Sequence, residues 1–112
     1  MKTIIAGGRE YLFTEEDRLF LDEQRKSLPI TTVISGGARG ADSEGENWAK
    51  NVGLPIERYP ADWNAYGKAA GFIRNVQMAN VAEALIAFPG GRGTQHMIKT
   101  AREKGLKVII RA

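Results

Sequence analysis

Apolar residues recur along this chain in short blocks that end in glycine or proline, and between the blocks they return at helical spacing. Three blocks, Thr3 to Ala6, Thr32 to Ser35 and Ala84 to Phe88, each run into a glycine cluster and then into a helical stretch. That is the order of a βα unit. Pro55 to Tyr59 and Lys107 to Arg111 complete five predicted strands. Successive strands begin about 20 to 30 residues apart, which leaves room for one helix each and predicts parallel pairing with right-handed crossovers.

The helix ends are readable too. Thr14 followed by Asp17 predicts a capping box opening a helix that runs to about Ser27, with Pro29 beyond it. Ala41, Gly45, Trp48, Ala49 and Val52 share one face of a second helix that Gly53 closes, and the small residues at 41 and 45 allow a close approach to the sheet. A third helix is predicted over Ala69 to Val81, and a fourth over Thr94 to Lys104 with Gly105 ending it. No repeat, linker or low-complexity tract interrupts the pattern, so one domain over 1–112 is expected. The predicted fold is α/β: a Rossmann-like three-layer sandwich with a five-stranded parallel sheet in the order 3-2-1-4-5. Its topological switch point lies between strands 1 and 4, and ligands of such sheets bind beyond the carboxyl ends of the strands there.

Composition narrows the chemistry. Hydrophobic residues make up 43% of the chain and charged residues 26%, values of an ordinary globular protein. With no cysteine and one histidine, His96, the chain cannot build a disulfide, a thiolate zinc site, an HExxH site or a cysteine nucleophile. No carboxylate pair has the spacing of a metal site, so no metal or cofactor is implied. The opening MKTIIAGGRE carries too short an apolar run for a signal or an anchor, and no later stretch is long enough to span a membrane, so a soluble, cytoplasmic protein is expected. A net charge of +3 is too mild for a dedicated nucleic-acid binder and suits an anionic small molecule better. Eight of the 13 glycines fall in three clusters, Gly7-Gly8, Gly36-Gly37-Gly40 and Gly90-Gly91-Gly93.

Each cluster brings candidate ligand groups to the predicted rim. Pro89, Gly90, Gly91, Gly93 and Thr94 close a strand and open a helix, so backbone amides there can hold a phosphate while Thr94 either donates its hydroxyl or caps the helix. Arg92 is free to point to solvent. Gly36 and Gly37 lead into Asp42 and Glu46; the run lacks the Lys-Ser/Thr of a Walker A loop and is not a GxGxxG fingerprint. Asp42 there is a helix cap or a ribose contact. Gly8 and Arg9 follow the first strand, and Arg74 with Asn75 opens the third helix, giving two arginines able to clamp a phosphate or carboxylate. The segment Asp62 to Lys68 reads as a polar loop at the ligand end of strand 3, in which Trp63 or Tyr66 stacks on a base or pins the loop, with Lys68 as a further cation. His96, in the first turn of the last helix, is either a general base or a neutral hydrogen-bond partner.

At these residues the sequence resembles a known family. GGRE, SGGARGAD, ADWxxYGKAAGxxRNxxM and FPGGRGT occur in order over nearly the whole chain and together resemble the YspA-type, cpYpsA-related branch of the SLOG superfamily. That superfamily includes the LOG phosphoribohydrolases, the DNA-processing protein DprA and sensor domains for ADP-ribose-derived signals in bacterial immunity. The resemblance implies a Rossmann-like fold and a nucleotide-type ligand. Carried onto this chain, the LOG motif PGGxGTxxE covers Pro89 to Met97, with Met97 where the catalytic glutamate stands, and the Arg-Lys pair falls on Arg74-Asn75. Methionine can neither activate water nor stabilise an oxocarbenium-like transition state. The leading expectation is therefore a module that binds a nucleotide or an ADP-ribose- or NAD-derived ligand, sensing or sequestering a signalling nucleotide in a bacterial or phage immunity setting. The alternative is a nucleotide N-glycosidase whose chemistry has moved to Asp42, Glu46 or His96; nucleic-acid binding by analogy with DprA ranks third. LOG relatives pair through helices, which points to homo-oligomerisation by way of Trp48 or the third-helix surface.

Overall fold

The structure is a computed structural model that describes residues 1–112. Five parallel strands, β1 (Lys2–Ala6), β2 (Thr32–Ser35), β3 (Ile56–Arg58), β4 (Ala84–Ala87) and β5 (Lys107–Ile110), lie in the order β3-β2-β1-β4-β5. This is the predicted order, with β1 and β4 at the switch point. The pleat sends successive side chains to opposite faces. Ile5, Val33 and Ile86 pack with Leu21 of α1 (Glu15–Ser27) and with Trp48 and Ala49 of α2 (Ala41–Val52). Ile4, Ile34 and Leu85 pack with Met78 and Ala79 of α4 (Ala70–Val81) and with Met97, Ile98 and Ala101 of α5 (Arg92–Glu103). Each of the Ile, Val, Leu and Met side chains among them, removed from water, contributes roughly 1.5–3 kcal/mol to the two apolar layers.

The predicted ends of α1 and α2 are present. Thr14 and Asp17 form the reciprocal capping box, and Gly53 closes α2 in the left-handed conformation. A Cβ on Gly45 would come within 2.7 Å of the Ile5 side chain, so the close approach of α2 to the sheet depends on that missing methyl.

Three features differ from the sequence reading. The segment after β3 is not a plain loop: Asp62 accepts a hydrogen bond from Ala65 N at 3.0 Å and caps the short helix α3 (Trp63–Tyr66), which runs through a 3-10 turn (Gly67–Ala69) into α4. The last helix starts at Arg92, two residues ahead of Thr94, with Gly91 at its N-cap and no capping side chain. Thr94 is thus an internal residue of the first turn and not its cap. Trp48 is 3% exposed and its indole Nε1 donates to Asp22 Oδ1 at 2.9 Å, so it offers no surface for pairing with a second copy.

Loop-to-loop hydrogen bonds gather the glycine clusters at one end of the sheet. Gly8 N donates to Pro89 O at 2.8 Å, Ala41 N donates to Gly8 O at 3.0 Å, and Tyr11 N donates to Gly8 O at 3.1 Å. Tyr11 is anchored in turn: its hydroxyl donates to the buried Asp17 carboxylate at 2.7 Å, which also accepts from Arg111 Nε at 3.0 Å. The first loop is held by α1 and by the end of the chain. No helix is long and apolar enough to cross a membrane.

Candidate functional site

A cleft of about 390 Å³ opens beyond the ends of β1 and β4, within the size range of small-molecule sites. One wall is the β1 loop with Gly7, Gly8 and Arg9; a second is the start of α2 with Ala38 and Asp42. Trp63 and Lys68 come from the α3 segment, Gly71, Phe72, Arg74 and Asn75 from α4, and Gly91, Arg92, Gly93 and Thr94 from the first turn of α5. Ala6, Met78 and Met97 form the apolar floor together with Phe72.

Charge in the cleft is one-sided. Arg9, Lys68, Arg74 and Arg92 face a single carboxylate, Asp42. The chain has sixteen Lys and Arg and thirteen Asp and Glu, so the remainder of the molecule holds twelve of each and is balanced. The whole net excess therefore sits on the cleft lining, where it attracts an anion.

Of the four cations, Arg74 is the one whose side chain hydrogen-bonds to the protein. Its Nη1 donates to Gly36 O at 2.7 Å and its Nε to Asn75 Oδ1 at 3.3 Å. Gly36 is needed for this seat, because a Cβ there would fall on the guanidinium and within 2.8 Å of Asp42 Oδ2. Burial disfavours the Arg74 charge, an effect opposed by the neighbouring Asp42 carboxylate. Arg9 instead lies with its guanidinium carbon 5.6 Å from the centre of the Trp63 ring, a cation–π arrangement between two residues that line the cleft. The first turn of α5 has no side-chain cap, and the Thr94 hydroxyl, on a residue 7% exposed that lines the cleft, makes no hydrogen bond within the protein. Bare helix-turn amides beside a free hydroxyl are the donors a phosphate takes.

Asp42 is 8% exposed and accepts one hydrogen bond, from Ala38 N at 3.2 Å. Burial pushes its carboxyl up to about 6, against the pull of the Ala38 amide and Arg74. Because the folded value lies above the ordinary aspartate value, its contribution to stability is complete below about pH 4 and is lost as pH rises through about 6. Asp42→Asn, which keeps an acceptor for Ala38, is expected to be more stable than the wild type by about 2–3 kcal/mol at neutral pH. The difference should shrink toward zero near pH 4, as urea unfolding of the two proteins at both pH values would show.

The remaining candidates do not line the cleft, apart from Arg92. Gly36 is buried in the β2 loop, and Gly37, Pro89 and Gly90 are exposed on the loops beside the cleft. Glu46 points away: Oε2 accepts from Ser35 Oγ at 2.7 Å and Oε1 from Arg58 Nε at 2.8 Å. Burial would raise the Glu46 carboxyl, but those two partners outweigh it and hold it below the usual range. His96 also lies outside the lining; its ring stacks on Phe72 with centroids 4.3 Å apart and meets Asn75 Nδ2 at 3.1 Å through Nδ1. Tyr66 is exposed and does not line the cleft, whereas Arg92 does. The apolar floor has no counterpart in the sequence reading, in which Phe72 and Met78 look like ordinary helix positions.

A 3-2-1-4-5 parallel sheet with a cationic cleft and a bare helix N-terminus at its switch point defines a Rossmann-like α/β domain. The family model described as "YspA, cpYpsA-related SLOG family" matches residues 1–66, from β1 through α3. The Gene 61 protein of Mycobacterium phage D29 is 38% identical over 96 residues, which cover 79% of this chain and 77% of that protein. No solved structure matches. The chain belongs to the YspA, cpYpsA-related SLOG family, within a nucleotide-binding superfamily. The matched residues include Gly8, Arg9, Asp42 and Trp63, while Arg74 and the first turn of α5 follow them in the chain.

Proposed function

We propose that the cleft binds a nucleotide, or a small molecule derived from ADP-ribose or NAD, and holds it intact, so that the protein senses or sequesters a signalling nucleotide in a bacterial or phage immunity setting. The observation that carries this reading is the confinement of the chain's net positive charge to one cleft that also offers the bare first turn of α5 and the unpartnered Thr94 hydroxyl. The phosphate would sit on that turn opposite Arg74. Trp63 and Phe72 offer flat apolar faces for a base, and Asp42 an acceptor for a ribose hydroxyl. Met97 on the floor, where the LOG motif has its glutamate, supports binding without hydrolysis.

Native mass spectrometry of the purified protein, followed by calorimetric titration and product analysis with AMP, ADP-ribose, NAD and cyclic ADP-ribose isomers, tests this. A saturable ligand recovered intact is the expected result; absence of binding by every compound would overturn the site.

A second reading, a nucleotide N-glycosidase, is favoured by Asp42 alone. A carboxyl that burial pushes up to about 6 inside a cleft is the kind of group that acts as a general acid or base. Glu46 and His96 do not share that placement, since both are engaged behind the wall. Free base and sugar phosphate, formed by the wild type and not by Asp42→Asn, would establish it.

A further inference from the structure

Asn75 is 5% exposed and lines the cleft, so a contact to ligand is the obvious role for its amide. Its donors are already committed. Oδ1 accepts from Arg74 Nε at 3.3 Å, while Nδ2 donates to Gly93 O at 3.1 Å and lies 3.1 Å from His96 Nδ1. An amide nitrogen carries two hydrogens: Gly93 O takes one, and His96 Nδ1 takes the other when that ring nitrogen is unprotonated.

We infer that Asn75 is a positioning residue that ties the Arg74 guanidinium to the first turn of α5, and that His96 fixes which way round its amide sits. The inference rests on the reading that this cleft binds a nucleotide phosphate, because it explains how two anion-binding elements on different helices keep one geometry. Only one orientation of the amide serves both. Turned over, Nδ2 would face Arg74 Nε, donor against donor, and Oδ1 would face the Gly93 carbonyl, acceptor against acceptor. His96 selects the working orientation provided that Nδ1 is an acceptor. The ring proton then belongs on Nε2, which lies 3.5 Å from Thr100 Oγ1.

The surroundings keep the ring in that state. Phe72 of α4 stacks on it at an interplanar angle of 21°. Burial and Lys99 disfavour the charged ring, Glu103 on the same helix favours it, and the charged residue of α4 is Arg74, linked to the ring through the Asn75 amide. Protonation would place a hydrogen on Nδ1 and turn the required acceptor into a donor. The link between Arg74 and α5 should loosen as His96 becomes charged.

His96 is the single histidine of the chain, so a long-range proton–nitrogen spectrum of the imidazole reports it alone, with no ligand present. The wild type is expected to show the Nε2-protonated tautomer at neutral pH, and Asn75→Ala to lose that preference. An Nδ1-protonated ring, or a spectrum unchanged in Asn75→Ala, overturns the inference whether or not any nucleotide binds. AMP titration supplies the second arm. His96→Phe keeps a flat ring against Phe72 and removes the acceptor, and it should bind AMP about 5-fold more weakly than the wild type near pH 7.5. As pH falls through the titration of His96, which burial holds below the ordinary imidazole value, the two affinities should converge, because protonation removes the same acceptor from the wild type. A ratio that stays constant while the imidazole spectrum shows His96 becoming charged counts against the inference. If the wild type takes no AMP, the nucleotide reading fails while the tautomer spectrum still decides the role of Asn75 and His96.

Discussion

Gly40→Ala is expected to destabilise the protein by about 4 kcal/mol and to lower its melting temperature by roughly 15 °C. Gly40 sits at φ +76 and ψ −130, a combination that side-chain-bearing residues scarcely adopt. It is also wedged against another loop: an added Cβ would land on the carbonyl oxygen of Gly8 and the carbonyl group of Arg9. Both are backbone atoms, and they lie where Ala41 N donates to Gly8 O at 3.0 Å, the bond that joins the β1 loop to α2. Neither can swing aside as a flexible side chain would. The backbone strain contributes roughly 1–3 kcal/mol and the overlap roughly as much again. Gly37→Ala separates the two costs. Gly37 has φ +73 but open space around it, so only the strain of about 1 kcal/mol should appear. Thermal and urea unfolding of both variants would check this, and equal losses would mean that the contact with Gly8 and Arg9 carries no weight.

The same position shows why so much of the frame was legible in the sequence. Three apolar blocks ending in glycine clusters, at spacings that admit one helix, leave few arrangements other than a doubly wound parallel sheet, and the observed strand order follows. Caps that depend on side chains were visible because the side chain is the signal: Thr14 with Asp17, and Gly53. The start of α5 was misplaced by two residues because its N-cap is glycine, which leaves no polar side chain to mark the boundary. The short α3 makes a single turn, too brief for any hydrophobic period to register.

For the site, the sequence marked the loops at the strand ends and missed what depends on where along and around a helix each side chain is directed. Asp42 and Glu46 stand one helical turn apart, yet Asp42 lines the cleft and Glu46 turns down to Ser35 and Arg58 beside β2 and β3. His96 lies two residues beyond Thr94, and at about 100° per residue that is enough to take it out of the cleft and onto α4. Phe72, Met78 and Met97 have the spacing of core residues, and two of them are core residues that also floor the cleft.

Arg74 should be the residue on which ligand affinity depends most. Its guanidinium is held on two sides, by Gly36 O and by Asn75 Oδ1, and Nη2 has no partner in the protein, so the edge it offers the cleft is already oriented before a ligand arrives. An anion bound there gains a charge-assisted hydrogen bond in a partly dehydrated site without the cost of ordering a long side chain. Removing one partner of such a pair costs about 2–5 kcal/mol, so Arg74→Ala is expected to weaken AMP binding by about 100-fold or more. Arg74→Lys should restore little of it, since an ammonium cannot serve Gly36 O, Asn75 Oδ1 and a phosphate from one planar fork. Neither change should unfold the protein, because the side chain packs at the cleft and lies outside both apolar layers. Loss of Arg74 also removes the cation that stabilises the Asp42 carboxylate, so the pH at which Asp42 ionises should move above about 6 in Arg74→Ala. Calorimetry with AMP would read the first effect. The second would appear as a wider separation between Arg74→Ala and the Arg74→Ala, Asp42→Asn double variant in stability at neutral pH. An AMP affinity within about 3-fold of the wild type in Arg74→Ala would place the phosphate elsewhere in the cleft, with the first turn of α5, Arg9 and Arg92 as the donors that remain.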